Sequence, residues 1–198
     1  MVSTPASPVL DLFLETGAYL KGHFRLTSGL HSPEYLQCAL VLQHPRHAES
    51  LGRALAADVA RLTAERRIES VVSPALGGLI IGHEVARALG ARHIFTERDP
   101  DRKMVLRRGF TLRAGETAVV IEDVVTTGGS SLEVVEVLRA AGAEVLAAGS
   151  IIDRSGGRAD LGLPRAALAT LNVVTWDPAQ CPLCAQGLPV VKPGSRPA

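Results

Sequence analysis

The sequence has few aromatic residues, few cysteines and almost no net charge. Aromatic residues make up 4% of the 198 positions although 46% are hydrophobic, so the core must consist mainly of Val, Leu, Ile and Ala. Such a composition can bury a sizeable core and differs from that of a disordered chain. The 21 Lys and Arg residues nearly balance the 20 Asp and Glu residues, leaving a net charge of +1. This balance removes the electrostatic argument for a nucleic-acid binder or an anionic-membrane binder.

Other features are missing as well. No apolar run approaches the length that crosses a bilayer. The first eight residues lack the basic start and apolar stretch of a signal peptide. Three cysteines, an odd number, do not make a disulfide framework. We therefore expect a globular cytoplasmic protein whose partners include neither nucleic acid nor membrane.

Apolar runs alternate with helical patterns through most of the chain. Such strands, with no in/out alternation and with helices between them, predict an α/β core over 47–177 with a mainly parallel sheet covered on both faces. The predicted helices and strands are helices over 79–89 and 131–141, and strands over 70–73, 93–96, 118–121, 145–152 and 171–176.

The two ends of the chain do not follow this alternation of apolar runs and helical patterns. A helical pattern over 11–21 is followed by a turn-rich stretch over 24–33 and a strand-like stretch over 35–40. We interpret 1–46 as a small cap, too short to own a core. The segment 178–198 is expected to pack near that cap.

The most informative segment is 119–131, Val-Val-Ile-Glu-Asp-Val-Val-Thr-Thr-Gly-Gly-Ser-Ser. A buried strand delivers Glu122 and Asp123 to its carboxyl end, where open α/β sheets bind ligands. The following loop, 126–130, opens a helix with glycines and hydroxyls, which suit a phosphate group. The two carboxylates would repel that phosphate unless they accept hydrogen bonds from nearby sugar hydroxyls. Together these features predict a site for a ribose 5-phosphate.

Each half of this segment also has a structural interpretation. Glycine at a strand-to-helix turn is often only a tight turn, and an acidic residue there is often only a helix cap. The combined run is more specific than either half. It is not a Walker loop, since no Gly-Lys-Ser/Thr occurs, and no G-x-G-x-x-G follows a strand.

This run resembles the 5-phosphoribosyl 1-diphosphate motif of the type I phosphoribosyltransferases. Within that family, four further segments resemble the branch that acts on orotate. They are the capping segment 22–33, the pyrophosphate loop 73–78, the strand end 151–154 that contacts orotate, and the C-terminal stretch 191–196.

The resemblance implies a type I phosphoribosyltransferase fold with a small N-terminal hood. It also implies transfer of a phosphoribosyl group to orotate, giving orotidine 5′-phosphate and diphosphate in pyrimidine biosynthesis. The implied cofactor is Mg²⁺, held mainly by the substrate with no direct protein ligand. The implied assembly is a homodimer that shares its active-site loop.

The resemblance also assigns site residues. Ribose and the 5-phosphate would be bound by Glu122, Asp123, Val124, Val125, Thr126, Thr127, Gly128, Gly129 and Ser130. Pyrophosphate would be bound by Ala75, Leu76, Gly77, Arg98 and Lys103. Orotate would be bound by Ser28, Gly29, Thr126 and Arg154. The catalytic residues would be Lys103 and Asp123. A guanidinium such as that of Arg154 matches the carboxylate of orotate.

The charged segment 97–110 has two interpretations. It can be a solvated loop or hairpin, as charge runs usually are. The family instead closes a mobile basic loop over the site. The cations available for that purpose are Arg98, Arg102, Lys103, Arg107 and Arg108, and the segment contains no histidine. The sequence also departs from better-known relatives at Gly77 and Thr27, where those relatives carry lysine.

Two other functions remain as alternatives. A purine phosphoribosyltransferase would favour aromatic stacking at the base site over an arginine. A regulator that senses the sugar diphosphate without turning it over would usually carry a nucleic-acid surface.

The pair Cys181-Pro-Leu-Cys184 suggests zinc, but a structural zinc site needs four ligands. Since no second Cys or His pair with metal spacing lies nearby in the sequence, we interpret the motif as a turn with two small apolar residues.

Overall fold

The computed structural model describes residues 7–26 and 28–193. The chain forms two compact units. The smaller one takes its described residues from Met1–Val41 and Asn172–Ala198, and the larger one is Leu42–Leu171. Thr27 and residues 194–196 of the C-terminal stretch lie outside the described residues. Within the described ranges, no helix is both long and apolar enough to span a bilayer.

The smaller unit begins with helix α1 (Pro8–Glu15), strands β1 (Tyr19–Arg25) and β2 (His31–Leu36), and helix α2 (Cys38–Leu42). The two strands pair in antiparallel fashion. The predicted helix over 11–21 is wrong at its end, because Gly17 adopts a left-handed φ of 65° and the Ala18 amide closes the helix onto Phe13 O. The predicted strand over 35–40 is wrong beyond Leu36, where α2 follows.

The C-terminal segment of the smaller unit lies along this hairpin. Isolated bridges join Phe24 to Val191 and His31 to Trp176, and a short helix spans Pro182–Ala185 between them.

The larger unit contains three helices and six strands. They are α3 (Pro45–Leu62), β3 (Ser70–Pro74), α4 (Gly78–Leu89), β4 (Arg92–Arg98), β5 (Met104–Leu106), β6 (Thr117–Val125), α5 (Gly129–Ala140), β7 (Glu144–Asp153) and β8 (Arg165–Thr170). The sheet order is β5-β4-β3-β6-β7-β8. Only β5 runs antiparallel to its neighbour, so the predicted parallel α/β fold is confirmed.

The predicted strand over 171–176 is wrong. The last strand of the sheet is β8, which precedes that stretch and pairs with β7. Val174, within that stretch, is 52% exposed. The alanines of β8 give a weak apolar signal, although they form the edge that pairs with β7.

Both faces of the sheet are covered by helices. On one face α5 buries Val134, Val135 and Leu138 against Val72 and Val120. On the other face α3 approaches β7 so closely that a Cβ on Gly149 would stand 2.9 Å from Val59 and 3.1 Å from Leu55. Aliphatic packing therefore holds helices against both faces of the sheet.

The strand order changes direction between β3 and β6. From β3 the chain moves outward to β4, then returns to place β6 on the other side of β3. The loops after β3 and β6 therefore leave adjacent strands at the same edge, which is where open α/β sheets bind ligands.

Candidate active site

Glu122 and Asp123 lie near the end of β6. The Ser131 hydroxyl donates to the Glu122 carboxylate, and the Val124 amide donates to Asp123 Oδ1 at 2.9 Å. Burial raises the pKa of Glu122 to about 7, and the charge of Asp123 adds to the effect despite the Ser131 hydrogen bond. Burial also raises the pKa of Asp123. Because each carboxylate has about four lone-pair sites, the pair can accept further hydrogen bonds from a ligand's hydroxyls.

The loop 126–130 joins β6 to α5. Gly128 adopts a left-handed φ of 84°, and a Cβ there would approach Leu161 Cδ2 to 2.8 Å, so this position requires glycine. Thr126, Thr127 and Gly129 are exposed. The loop therefore presents open hydroxyls and the first amides of α5, as a phosphate site needs.

The predicted pyrophosphate loop follows β3. The Ala75 amide donates to Thr96 O at 2.8 Å, and the Ala75–Leu76 peptide bond is cis. A Cβ on Gly77 would stand 2.6 and 2.7 Å from the two carboxylate oxygens of Asp123. The loop after β3 therefore meets the end of β6 at Gly77 and Asp123, which the sequence separates by more than forty positions.

Arg154 lies at the same edge of the sheet. Its amide donates to Val125 O at 2.8 Å, which joins the end of β7 to the end of β6. The preceding Asp153 is buried and accepts hydrogen bonds from the Ser155 amide at 2.7 Å and from Arg165 Nη1 at 2.8 Å. Burial raises the pKa of Asp153, but the bonds from Ser155 and Arg165 outweigh it and hold the pKa below its ordinary value.

Sequence reasoning missed the roles of Asp153 and Arg165. The carboxylate of Asp153 organises the turn after β7, and Arg165 reaches it from β8. The sequence signal for them was the Asp-Arg dipeptide at the end of a predicted strand, of which only Arg154 was assigned a role.

The charged segment forms a hairpin of β4 and β5. The guanidinium of Arg98 donates to both carboxylate oxygens of Glu133 on α5, at 2.8 and 3.1 Å. Arg108 pairs in the same way with Glu97. Lys103 is exposed near the tip, where its amide donates to Asp99 Oδ1. Of the two cations assigned to pyrophosphate, Arg98 is thus engaged by Glu133 and Lys103 extends into solvent.

Ser28 and Gly29 lie in the turn between β1 and β2 of the smaller unit. Gly29 has a φ of 86°, and its amide donates to Leu26 O at 3.0 Å. Ser28 is exposed.

The smaller unit also holds a group of side chains that we call the His–Cys cluster: His23, His31, Cys181 and Cys184. The sequence-based expectation that no second Cys or His pair lies near the cysteines is therefore wrong in space. The histidines precede the cysteines by about 150 positions, so only the folded chain brings the two pairs together.

Comparisons with known proteins indicate one family. Residues 41–164 match the family model described as "Phosphoribosyl transferase domain". The chain is 52% identical over 188 residues to an orotate phosphoribosyltransferase of Desulforamulus reducens, covering 95% of this chain and 96% of the relative. It is 53% identical over 188 residues to the one of Pelotomaculum thermopropionicum, covering 95% and 96%.

Among solved structures, the chain is similar to the orotate phosphoribosyltransferase of Aeropyrum pernix. The TM-score is 0.66 at 29% identity, covering 82% of this chain and 93% of the other. An adenine phosphoribosyltransferase gives a TM-score of 0.64 at 18% identity, a likeness of fold alone.

Proposed function

Because the chain belongs to the orotate phosphoribosyltransferase family, we propose that it transfers the phosphoribosyl group of 5-phosphoribosyl 1-diphosphate to orotate at the edge where β3 and β6 end. The products are orotidine 5′-phosphate and diphosphate. The observation that carries this location is the contact between Asp123 and Gly77, which joins the ribose segment to the pyrophosphate loop.

The reaction is a displacement at the anomeric carbon of the ribose. The bond from that carbon to the diphosphate oxygen breaks and its electron pair leaves with diphosphate. A ring nitrogen of orotate forms the new bond, and its proton passes to the departing diphosphate. No protein nucleophile is needed, so catalysis depends on positioning, charge neutralisation and exclusion of water.

Each part of the site has a role in this displacement. Glu122 and Asp123 accept hydrogen bonds from the 2- and 3-hydroxyls of ribose. The loop 126–130 binds the 5-phosphate through its amides and hydroxyls. Lys103 neutralises the departing diphosphate. Arg98 can join it only by leaving Glu133, because its guanidinium already binds both oxygens of that carboxylate.

Recognition of the base belongs to Arg154 at the end of β7, together with Thr126. A guanidinium offers paired donors to the carboxylate of orotate. The backbone hydrogen bond from the Arg154 amide to Val125 O, at the end of β6, supports this assignment.

The residues at this edge fit Mg²⁺. The two carboxylates offer only oxygen atoms, which Mg²⁺ prefers. The ion would be held mainly by the substrate, with Glu122 and Asp123 farther out. When bound, it neutralises charge on the diphosphate.

We further propose a cytoplasmic location, on the composition described above, and a homodimer in which the β4–β5 hairpin of one subunit contributes to the other's site.

The loss of orotate's ultraviolet absorbance tests the reaction. We expect loss that requires the purified chain, Mg²⁺ and 5-phosphoribosyl 1-diphosphate together, with adenine, guanine and xanthine inert in parallel. Turnover of a purine in place of orotate would contradict the role of Arg154. Binding of the sugar diphosphate without turnover of any base would favour the regulator.

A further inference from the structure

Four potential metal ligands converge in the His–Cys cluster of the smaller unit. The ligand atoms, one from each residue, all lie within 4.8 Å of one another. Cys181 Sγ and Cys184 Sγ stand 3.4 and 3.7 Å from His23 Nε2, and Cys184 Sγ stands 3.3 Å from His31 Nδ1. In a tetrahedral zinc site, with bonds of about 2.0–2.3 Å, ligand atoms stand about 3.3–3.8 Å apart.

The two histidine nitrogens are closer than this, at 2.8 Å. Entry of an ion between them requires the rings to separate by about half an ångström. The rings meet edge to face, with their planes 71° apart, so a small rotation of either ring achieves this separation.

The tautomer of His23 suits a metal ligand. Its Nδ1 lies 2.9 Å from Leu188 O. Because a carbonyl oxygen can only accept, Nδ1 carries the proton, and Nε2 of the neutral ring presents a lone pair to the cluster. A backbone carbonyl that fixes the second nitrogen is the usual partner of a metal-bound histidine.

More groups surround the lone pair on His23 Nε2 than can donate hydrogen bonds to it. Three groups surround Nε2 of His23: the Nδ1 of His31 and the two thiols. One lone pair accepts one good hydrogen bond, so the other groups lack an equivalent acceptor there. His23, His31 and Cys181 are each less than 7% exposed, where unsatisfied polar groups are costly. A cation at the centre satisfies all four ligands at once.

Backbone pairing holds the two halves of the cluster together. The amides of His31 and Trp176 donate to each other's carbonyls at 2.9 Å, before the cysteines. After them, the Val191 amide donates to His23 O at 2.8 Å. The C-x-x-C turn is therefore anchored to the β1–β2 hairpin on both sides, and the same hairpin supplies both histidines.

We propose that the His–Cys cluster binds a structural zinc ion. Two sulfurs and two imidazole nitrogens in tetrahedral proximity are the ligand set that zinc prefers, unlike the oxygen ligands of the Mg²⁺ site. All four ligands come from the protein, as in structural rather than catalytic sites. Binding converts two thiols to thiolates, so about two protons are released for each ion bound.

Such an ion would have a clear structural effect. The described part of the smaller unit buries only a modest set of large apolar side chains: Leu10, Phe13, Phe24, Leu36 and Val41. Small units often need a metal or a disulfide to hold their fold. Zinc would fasten the C-terminal segment to the hairpin and add its binding free energy to folding.

Metal analysis of the full-length chain tests the proposal. The chain is purified reduced and without chelator, and zinc is measured by mass spectrometry. We expect about one zinc per chain and, after replacement by Co²⁺, thiolate-to-cobalt charge-transfer bands in the absorption spectrum. Chelation should lower Tm by more than about 5 °C, and added zinc should restore it.

The matched variants are Cys184→Ser and Cys38→Ala. Cys184 is exposed, so serine disturbs little packing, whereas Cys38 is a buried cysteine outside the cluster. We expect the zinc content per chain to fall at least about tenfold in Cys184→Ser and to stay unchanged in Cys38→Ala. These readouts do not involve phosphoribosyl transfer, so the proposal stands or falls separately from the proposed function.

Three results would overturn the zinc site. The first is a reduced chain that holds no zinc even after incubation with equimolar Zn²⁺ and desalting. The second is equal zinc content in the two variants. The third is a Cys181–Cys184 disulfide in the native chain, detected by thiol alkylation and mass spectrometry.

Discussion

At the scale of single residues, the site is defined by two carboxyl groups, those of Glu122 and Asp123, which follow each other near the end of β6. Burial raises the pKa of both, and for Glu122 it reaches about 7. Ribose hydroxyls favour the ionised form because they donate hydrogen bonds to it. Substrate binding and ionisation of Glu122 should therefore be linked.

We predict that 5-phosphoribosyl 1-diphosphate binds with release of a proton from Glu122. The pKa of this group is raised in the free chain and falls on binding, so affinity should decline as pH drops below 7. The limit is about tenfold per pH unit for one proton. Calorimetry in buffers of different ionisation enthalpy measures the proton released.

Glu122→Gln is the control, since the glutamine cannot titrate. The ligand's own phosphates titrate equally with both proteins, so the difference between wild type and variant isolates Glu122. Equal proton release by the two proteins would contradict the linkage.

Arg154 carries the second prediction at this scale. Arg154→Ala should raise KM for orotate at least about tenfold, because the paired charge-assisted hydrogen bonds to its carboxylate are lost. Binding of 5-phosphoribosyl 1-diphosphate should change less than threefold by the same calorimetry, as about 0.6 kcal/mol or less is expected. Arg154→Lys keeps the charge but not the paired donors of a guanidinium, so its KM for orotate should lie between those of the wild type and Arg154→Ala. Equal losses for both substrates would remove Arg154 from the base site.

At the scale of elements, the two edges of the sheet have different tasks. The carboxyl edge gathers the carboxylates of Glu122 and Asp123 and the open loops, whereas the amino edge holds a satisfied network around Glu116. That side chain accepts hydrogen bonds from Arg92 Nη2 at 2.7 Å, the Arg113 amide at 3.0 Å and the Ser70 hydroxyl. It thus ties the start of β6 to the starts of β3 and β4.

We predict that Glu116→Gln lowers the free energy of unfolding by about 2 kcal/mol without changing KM for orotate. Burial raises the pKa of Glu116, but the bonds from Arg113, Ser70 and Arg92 outweigh it and bring the pKa to about 2. A lowered pKa stabilises the fold above pH 4.5, and this contribution is lost as pH falls from 4.5 towards 2. Urea unfolding at pH 7 and pH 3.5 measures it.

Glu144→Gln serves as the comparison. Its ion pair with Arg66 is about half exposed on both sides, so its loss should change the free energy of unfolding much less than Glu116→Gln does. Equal effects of the two substitutions at pH 7 would contradict the assignment of the network.

Sequence patterns predict those elements whose signal is local. Uninterrupted apolar runs mark the buried strands near 70–73 and 118–121. Glycines and hydroxyl-bearing residues mark the loop 126–130. Strand β8 was not predicted because its alanines are only weakly hydrophobic and give little indication of burial. The approach of Gly77 to Asp123 and the convergence of His23 with Cys181 depend on strand order and long-range pairing, which no local pattern encodes.

At the scale of the whole molecule, the proposed dimer makes a specific prediction. If the hairpin acts in the neighbouring subunit, mixing Lys103→Ala with Asp123→Asn should restore activity. In random heterodimers one of two sites is intact, so recovery should reach about a quarter of the wild-type rate. Sedimentation should show dimers at assay concentration.

Each variant alone is the control for that mixture and should be nearly inactive. Dimers that exchange subunits without any recovery would place the hairpin in its own subunit's site. A fully active monomer would exclude the shared site altogether.

The central claim is that phosphoribosyl transfer to orotate takes place where Asp123 meets the loop after β3. Turnover of orotate by Asp123→Asn tests it most directly, because asparagine keeps the size of the side chain and removes only its charge. We predict that kcat/KM falls at least about a hundredfold, close to 3 kcal/mol of transition-state stabilisation, while Tm is unchanged or higher. Wild-type turnover by this variant would contradict the account.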